Sequence, residues 1–137
     1  MKLLKKFSVL TFIALSVVFT SCSNDDDSSP SIIGTWELVK SEYNIYSNDG
    51  LKDIVEEGDG TENITFDSNM TGKDMDGTTF LWKLEGTAMT LTSKDENGEE
   101  TSSTGEIQKL TDKELVLYST HKDGDNEFYD RNTFKRK

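Results

Sequence analysis

The stretch TFLWKLEGTAMTLTS, residues 79–93, decides the fold class of this chain. Apolar and polar side chains alternate on both sides of a Glu-Gly turn at residues 85–86. A period of two places alternate side chains on opposite faces of an extended strand, so both halves are predicted as strands that share a turn. The side chains predicted to face inward are Phe80, Trp82, Leu84, Met89 and Leu91.

The same pattern extends outward through the chain from Ile32, in short segments rich in β-branched and aromatic residues. Asn-Gly and Asp-Gly pairs between many segments supply the positive φ angles of tight hairpins. No segment keeps a helical period. The eight predicted strands are Gly34 to Tyr46, Glu62 to Asp67, Thr71 to Met75, Thr79 to Leu84, Ala88 to Ser93, Ser102 to Lys109, Glu114 to Thr120 and Glu127 to Lys135.

Successive hairpins predict an antiparallel meander with one apolar face. Two arrangements bury that face, a two-sheet sandwich and a closed up-and-down barrel, and periodicity alone does not choose between them. The last strand is less regular, because Phe128 and Phe134 share a face with Asp130 and Asn132. A β-bulge would explain this pattern, and so would polar groups that enter the interior.

The segment IIGTWEL, residues 32–38, resembles the Gly-x-Trp opening of lipocalins and of lipocalin-like bacterial lipoproteins. Residues 64–67, 80–84, 110–117 and 133–136 follow the order of the same family. The resemblance covers residues 31–137 and implies an all-β domain, a small eight-stranded antiparallel barrel.

The resemblance also implies how one end of the barrel is closed. Trp36, two residues after Gly34, would pack across that end, with Arg136 of the last strand stacked over its ring. The turn after Phe66 departs from the family pattern, because a Gly is expected close behind it. We expect Asn69 to take the left-handed conformation there instead.

Residues 1–21 have the layout of a bacterial secretion signal, with three early lysines and an uncharged run from Phe7 to Phe19. That run is shorter than the roughly 20 apolar residues of a membrane-spanning helix, the alternative interpretation. Its end, Phe19-Thr20-Ser21-Cys22, resembles a lipobox, although Leu is commoner than Phe at its first position. Cys22 is therefore predicted to carry acyl chains that anchor the mature protein to a membrane.

Residues 22–30 are predicted to form a short disordered tether rich in Ser, Asn and Asp. Its acidic residues are interpreted in two ways, as a solvated spacer or as the export signal that resembles that of Bacteroidetes lipoproteins. The second interpretation places the protein on the outer membrane, facing the cell exterior.

The charge balance argues against nucleic acid as a partner. Loss of the signal leaves 12 basic residues against 26 acidic ones, a net charge of −14, and nucleic-acid binding depends on clustered Lys and Arg. The single cysteine excludes an intramolecular disulfide, and we predict no cofactor and no metal site. Neither acidic loop, 95–100 or 123–127, has EF-hand spacing. His121, the only histidine, is predicted in a solvated loop after a strand.

These observations leave two hypotheses for a protein that is not expected to be an enzyme. The first is a lipocalin-like module that binds a small apolar ligand or a partner at the cell surface. The second is a filled barrel whose loops bind a protein. A cavity above about 300 Å³ would favour the first. The residues predicted to line it are Phe66, Phe80, Trp82, Leu91 and Phe134.

Overall fold

The computed structural model describes residues 29–137, which form an antiparallel β-structure. The predicted signal peptide, the lipobox residues Phe19, Thr20 and Ser21, and Cys22 lie outside the described residues. The described strands are β1 Gly34–Ser47, β2 Gly50–Glu57, β3 Asn63–Phe66, β4 Thr71–Lys73, β5 Thr79–Glu85, β6 Ala88–Lys94, β7 Glu100–Leu110, β8 Glu114–Asp123 and β9 Asn126–Arg136.

The sheet closes into a barrel. From β3 to β9 each strand pairs with the next, and β1 pairs with both β3 and β9. This closure excludes the sandwich and confirms the predicted eight-stranded antiparallel barrel. β2 and β3 lie along the same edge of β1, β2 beside residues 40–47 and β3 beside residues 34–37. They are two parts of one barrel strand, interrupted at residues 58–62.

β2 is the strand that the sequence pattern did not predict. Half of its sequence, GLKDIVEE, is charged, and the strand carries no apolar face. β1 is its partner in the sheet and its other edge has no strand beside it in the described structure, so β2 forms through backbone pairing. The acidic side chains on this edge oppose its pairing with the same edge of a second copy of the chain.

The two ends of the barrel differ. The closed end contains the start of β1, the end of β9 and the turns at residues 67–70, 86–87 and 111–113. The open end contains the four hairpin tips at residues 48–49, 74–78, 95–99 and 124–125. β1, β7, β8 and β9 each have ten or more residues, whereas β3 and β4 have four and three. One wall of the barrel is therefore much taller than the other.

The hydrophobic core fills the closed half. The Phe66 ring packs edge to face on Phe80, at 5.6 Å between centroids, and on Trp82, at 5.8 Å. The indole Nε1 of Trp82 donates to the Thr71 carbonyl at 3.0 Å, so the buried ring leaves no unsatisfied donor. The buried apolar residues are Ile32, Trp36, Leu38, Ile64, Phe66, Phe80, Trp82, Met89, Ile107, Leu115 and Phe134.

The turn after Phe66 differs from the prediction at one residue. Met70, not Asn69, takes the left-handed conformation, with φ 65°. The Asn69 side chain stabilises the turn instead, because its Oδ1 accepts hydrogen bonds from the backbone N–H and the hydroxyl of Thr71. The turn therefore contains a non-glycine residue, Met70, in a backbone conformation that is energetically unfavourable for it.

Among the described residues there is no helix long and apolar enough to cross a membrane.

Candidate functional site

A cavity of about 220 Å³ lies inside the barrel, above the packed closed half. Its apolar lining comes from the top of the core and its polar lining from the upper parts of the strands. The apolar residues are Ile64, Met75, Met89, Leu91, Leu117 and Phe134, and the polar ones include Ser103, Ser119, Asp130 and Asn132. The cavity is therefore amphipathic, with an apolar floor and a polar wall.

The polar wall depends on a register shift in β1. Leu38 lies opposite Phe134, but the pairing shifts by one residue at Val39, so that Ser41 lies opposite Asn132. Residues that face each other across two strands share a face of the sheet. The shift thus turns the Ser41 hydroxyl into the barrel, where it donates a hydrogen bond of 2.5 Å to Asn132 Oδ1.

Asp130 is the acidic group of this wall. Asn132 Nδ2 donates to Asp130 Oδ1 at 2.9 Å. Partial desolvation raises the pKa of the Asp130 carboxyl above its ordinary value, against the opposing effects of the Asn132 hydrogen bond and of His121. Polar side chains do enter the interior here, and the β8–β9 register is continuous. Of the two explanations for the irregular last strand, polar entry is therefore correct.

His121 lies on β8 rather than in a loop. The strand continues to Asp123, and His121 lies opposite Phe128 on the same face as Asp130. Its ring stacks on Phe128 with 5.1 Å between centroids and 14° between planes. The polar composition of residues 119–123 suggested a loop, but backbone pairing with β9 holds this segment extended.

Tyr43 completes the inner face at the open end, where it lies opposite Asp130. Desolvation, and next the neighbouring Glu56 carboxylate, raise the pKa of the Tyr43 phenol. The backbone pairing of β1 with β9, which closes the barrel, ends at Tyr43 and Asp130. Beyond this pair the Asn44 side chain bridges the two strands. Asn44 Oδ1 accepts from the Tyr129 N–H at 2.8 Å, and Asn44 Nδ2 donates to the Glu127 carbonyl at 3.1 Å.

The closed end is built around Trp36, which is fully buried. The Arg136 guanidinium lies 4.2 Å from the centre of the Trp36 ring. Its Nη1 donates to the Ile33 carbonyl at 2.9 Å and its Nε to the Asp112 carbonyl at 2.8 Å. Gly34, at φ 134°, leaves room for this group, because a Cβ there would lie 2.7 Å from Arg136 Nη1.

The comparison with protein families agrees with this fold, a closed antiparallel barrel with a cluster of Gly, Trp and Arg at one end. The model of the lipocalin-like domain matches residues 32–117. The chain belongs to the lipocalin-like domain family. No curated protein matches it. A crystal structure of a lipocalin-like protein from Bacteroides uniformis is similar, with 16% identity and a TM-score of 0.48 over 77% of this chain and 98% of that one.

In this lipocalin-like barrel, two of the five residues predicted to line a cavity do so and three do not. Leu91 and Phe134 do line it. Phe66, Phe80 and Trp82 are not among its lining residues, because their rings pack against one another at the closed end. Short β3 and β4 bring these aromatic side chains close together. β4 contacts the Phe80 ring so tightly at Gly72 that a Cβ there would collide with it.

The acidic loops of this lipocalin-like chain close hairpins. Asp95 Oδ1 accepts hydrogen bonds from the backbone N–H groups of Asn97 and Glu99. Asp74 Oδ1 does the same for Asp76 and Thr78. In the part of the chain that the structure describes, no group of three or more His, Cys, Asp or Glu side chains could hold a metal ion.

Proposed function

We propose that this lipocalin-like chain is a non-enzymatic binding module that holds a small amphipathic molecule in the cavity at its open end. The observation that carries the proposal is the apolar floor beneath a hydrogen-bonding wall, since such a lining orients a ligand by its polar group. The volume of about 220 Å³ does not reach the roughly 300 Å³ that the sequence-based hypothesis required for a pocket of drug-sized ligands. The ligand is therefore small, and the proposal rests on the lining of the cavity and not on its size.

The chain is further proposed to be a lipoprotein of the bacterial outer membrane, anchored by acyl chains on Cys22 and facing the exterior. The lipobox-like end of the signal and the acidic residues that follow support this. The fold supports an orientation of the barrel relative to the membrane. β1 begins at the closed end, where Arg136 donates hydrogen bonds to the carbonyls of Ser31 and Ile33. A short tether from Cys22 to that end would turn the open end away from the membrane.

Native mass spectrometry of the domain, residues 31–137, purified from its own host tests the binding role. We expect a small molecule bound to the native domain. In the variant Ser103→Trp, an indole would fill the cavity and the bound mass should be lost. The matched control is Ser102→Trp, since Ser102 faces outward and hydrogen-bonds Thr92. Equal retention in both variants, or no bound molecule in the native domain, would contradict the proposal.

Two cell experiments test the anchoring. Metabolic labelling with a palmitate analogue should mark the full-length protein and not the Cys22→Ser variant. Protease added to intact cells should then remove the domain from the labelled protein. Labelling of the Cys22→Ser variant would refute lipidation at this residue, and full protection of the domain from protease would refute exposure at the cell surface.

A second candidate function is binding of a protein partner through the free edge of β2. Leu51 and Val55 on this strand are 45% and 60% exposed. The edge has no strand partner within the described residues and bears Asp53, Glu56 and Glu57. These features fit an extended basic segment that adds to the sheet. A co-purifying protein that is lost in Val55→Asp, together with an empty cavity, would favour this function.

A further inference from the structure

We propose, building on the binding role above, that the ligand is a small organic cation. It would be an amine or guanidine on a short apolar body, with Asp130 as its anchor. The inference rests on the hydrogen-bond polarity of the cavity wall and on the absence of basic residues from its described lining.

The hydrogen bonds of the wall run in one direction. Ser41 donates to Asn132, and Asn132 donates to Asp130. An ionised carboxylate accepts and does not donate, so the amide must turn its nitrogen toward Asp130 and its oxygen toward Ser41. The series therefore ends in an acceptor. Among the described residues the Asp130 carboxylate accepts its hydrogen bond through Oδ1, and this exposed residue leaves Oδ2 open to the mouth of the cavity. A ligand that meets this group must supply a donor.

The charges around the cavity point the same way. Among the described residues that line it, three are acidic and none is Lys, Arg or His. Asp74 is occupied in its hairpin turn, and Glu106 lies opposite Tyr118, on the outer face of the sheet. Asp130 is thus the acidic lining residue on the inner face with free acceptor capacity. An anionic ligand would meet a carboxylate without a compensating cation.

Aromatic rings on the same inner face favour a cation over a neutral donor. Tyr43 lies directly opposite Asp130, and Phe128 lies two residues before it on β9. The faces of such rings carry negative charge density that attracts ammonium and guanidinium groups. His121 is the nearby basic side chain, and its ring stacks on Phe128. Its charge favours the ionised Asp130 carboxylate, but the two groups form no salt bridge within the described residues.

Three probes with the same six-carbon chain separate charge from hydrophobicity: hexylamine, hexanoate and hexanol. Each is titrated into the domain, and binding is followed by the NMR shifts of the methyl groups of Met89, Leu91 and Leu117, which line the cavity. We expect hexylamine to bind at least about tenfold more tightly than the other two, a typical effect of a charge-assisted hydrogen bond.

The variant Asp130→Asn keeps the shape of the side chain and removes its charge. It should weaken hexylamine binding about tenfold and leave hexanol binding within about twofold. The control Asp125→Asn, at an exposed hairpin tip, should bind all three probes as the native domain does. An equal loss of hexylamine binding in both variants would overturn the role of Asp130.

The probes also separate this inference from the proposed binding role. If hexanol or hexanoate shifts the cavity methyl groups at lower concentration than hexylamine, the cation is refuted and the binding role stands. If none of the probes shifts these groups, the inference fails together with a binding role for the cavity.

Discussion

Trp36 connects the start of the barrel to its end, because its ring lies beneath Arg136 and its Nε1 donates to the Ile32 carbonyl at 2.7 Å. Trp36→Ala should lower the free energy of unfolding by about 3 to 5 kcal/mol, as is usual for a buried Trp. Thermal and urea unfolding measure this loss. Tyr46→Ala is the control, since Tyr46 is 66% exposed, and it should unfold like the native domain. An unchanged midpoint in Trp36→Ala would refute the packing role.

Met70 is a place where sequence and conformation disagree, because it has φ 65° and a side chain that is 53% exposed. Met70→Gly should remove about 1 to 2 kcal/mol of left-handed strain and add roughly 0.5 to 1 kcal/mol of chain entropy cost. We expect a slightly higher melting temperature. Met75→Gly, where φ is not positive, should lower it. A lower melting temperature in Met70→Gly would show that the turn is unstrained.

Asp130, the proposed ligand anchor, also affects the stability of the domain. Desolvation in the folded barrel raises the pKa of its carboxyl above the ordinary value of 3.8. A raised folded pKa means that the group's contribution to stability is complete below about pH 3.8 and is lost as pH rises through the folded value. Asp130→Asn should therefore unfold at a higher temperature than the native domain at pH 7 and at the same temperature near pH 3. A gain that is equal at both pH values would contradict desolvation as the cause.

The strands were predictable where one face had to be buried. Residues 79–93 form β5 and β6 with the predicted inward side chains, because burial inside the barrel enforces a period of two. β2 carries no such signal, since its sheet partner is β1 and it covers no core. Its break from β3 depends on Gly58, whose N–H donates to the Val39 carbonyl at 2.7 Å. A close backbone contact of this kind leaves no apolar pattern in the sequence.

The Asn44 side chain extends the pairing of β1 with β9 beyond the last backbone pair. A contact of this kind also leaves no periodic pattern in the sequence. Asn44 bonds the Tyr129 N–H and the Glu127 carbonyl where the backbone ladder ends. Asn44→Ala should speed hydrogen exchange at the Tyr129 amide about five- to thirtyfold, the effect of losing roughly 1 to 2 kcal/mol of local protection. The amide of Phe134, in the closed half, should exchange as before. Equal acceleration at both sites would indicate global destabilisation instead.

The whole barrel divides stability and binding between its two halves. Closure by Gly34, Trp36 and Arg136 was expected from the family resemblance, and the structure brings these residues together at one end. The cavity was not foreseeable in the same way. Its lining depends on the one-residue shift at Val39, which turns Ser41 inward, and on the packing that withdraws Phe66, Phe80 and Trp82. The polar positions on β9 were the visible signal, since Asp130 and Asn132 share a face with Phe134.

The central claim is that small molecules bind inside the open half of the barrel. Methyl NMR of the domain during titration with the small-molecule extract of its host tests this most directly. We predict saturable shifts at Met89, Leu91 and Leu117, which line the cavity, and unchanged signals at Leu51 and Val55 on the outer edge. Shifts confined to Leu51 and Val55, or no shift at the cavity residues, would contradict the account.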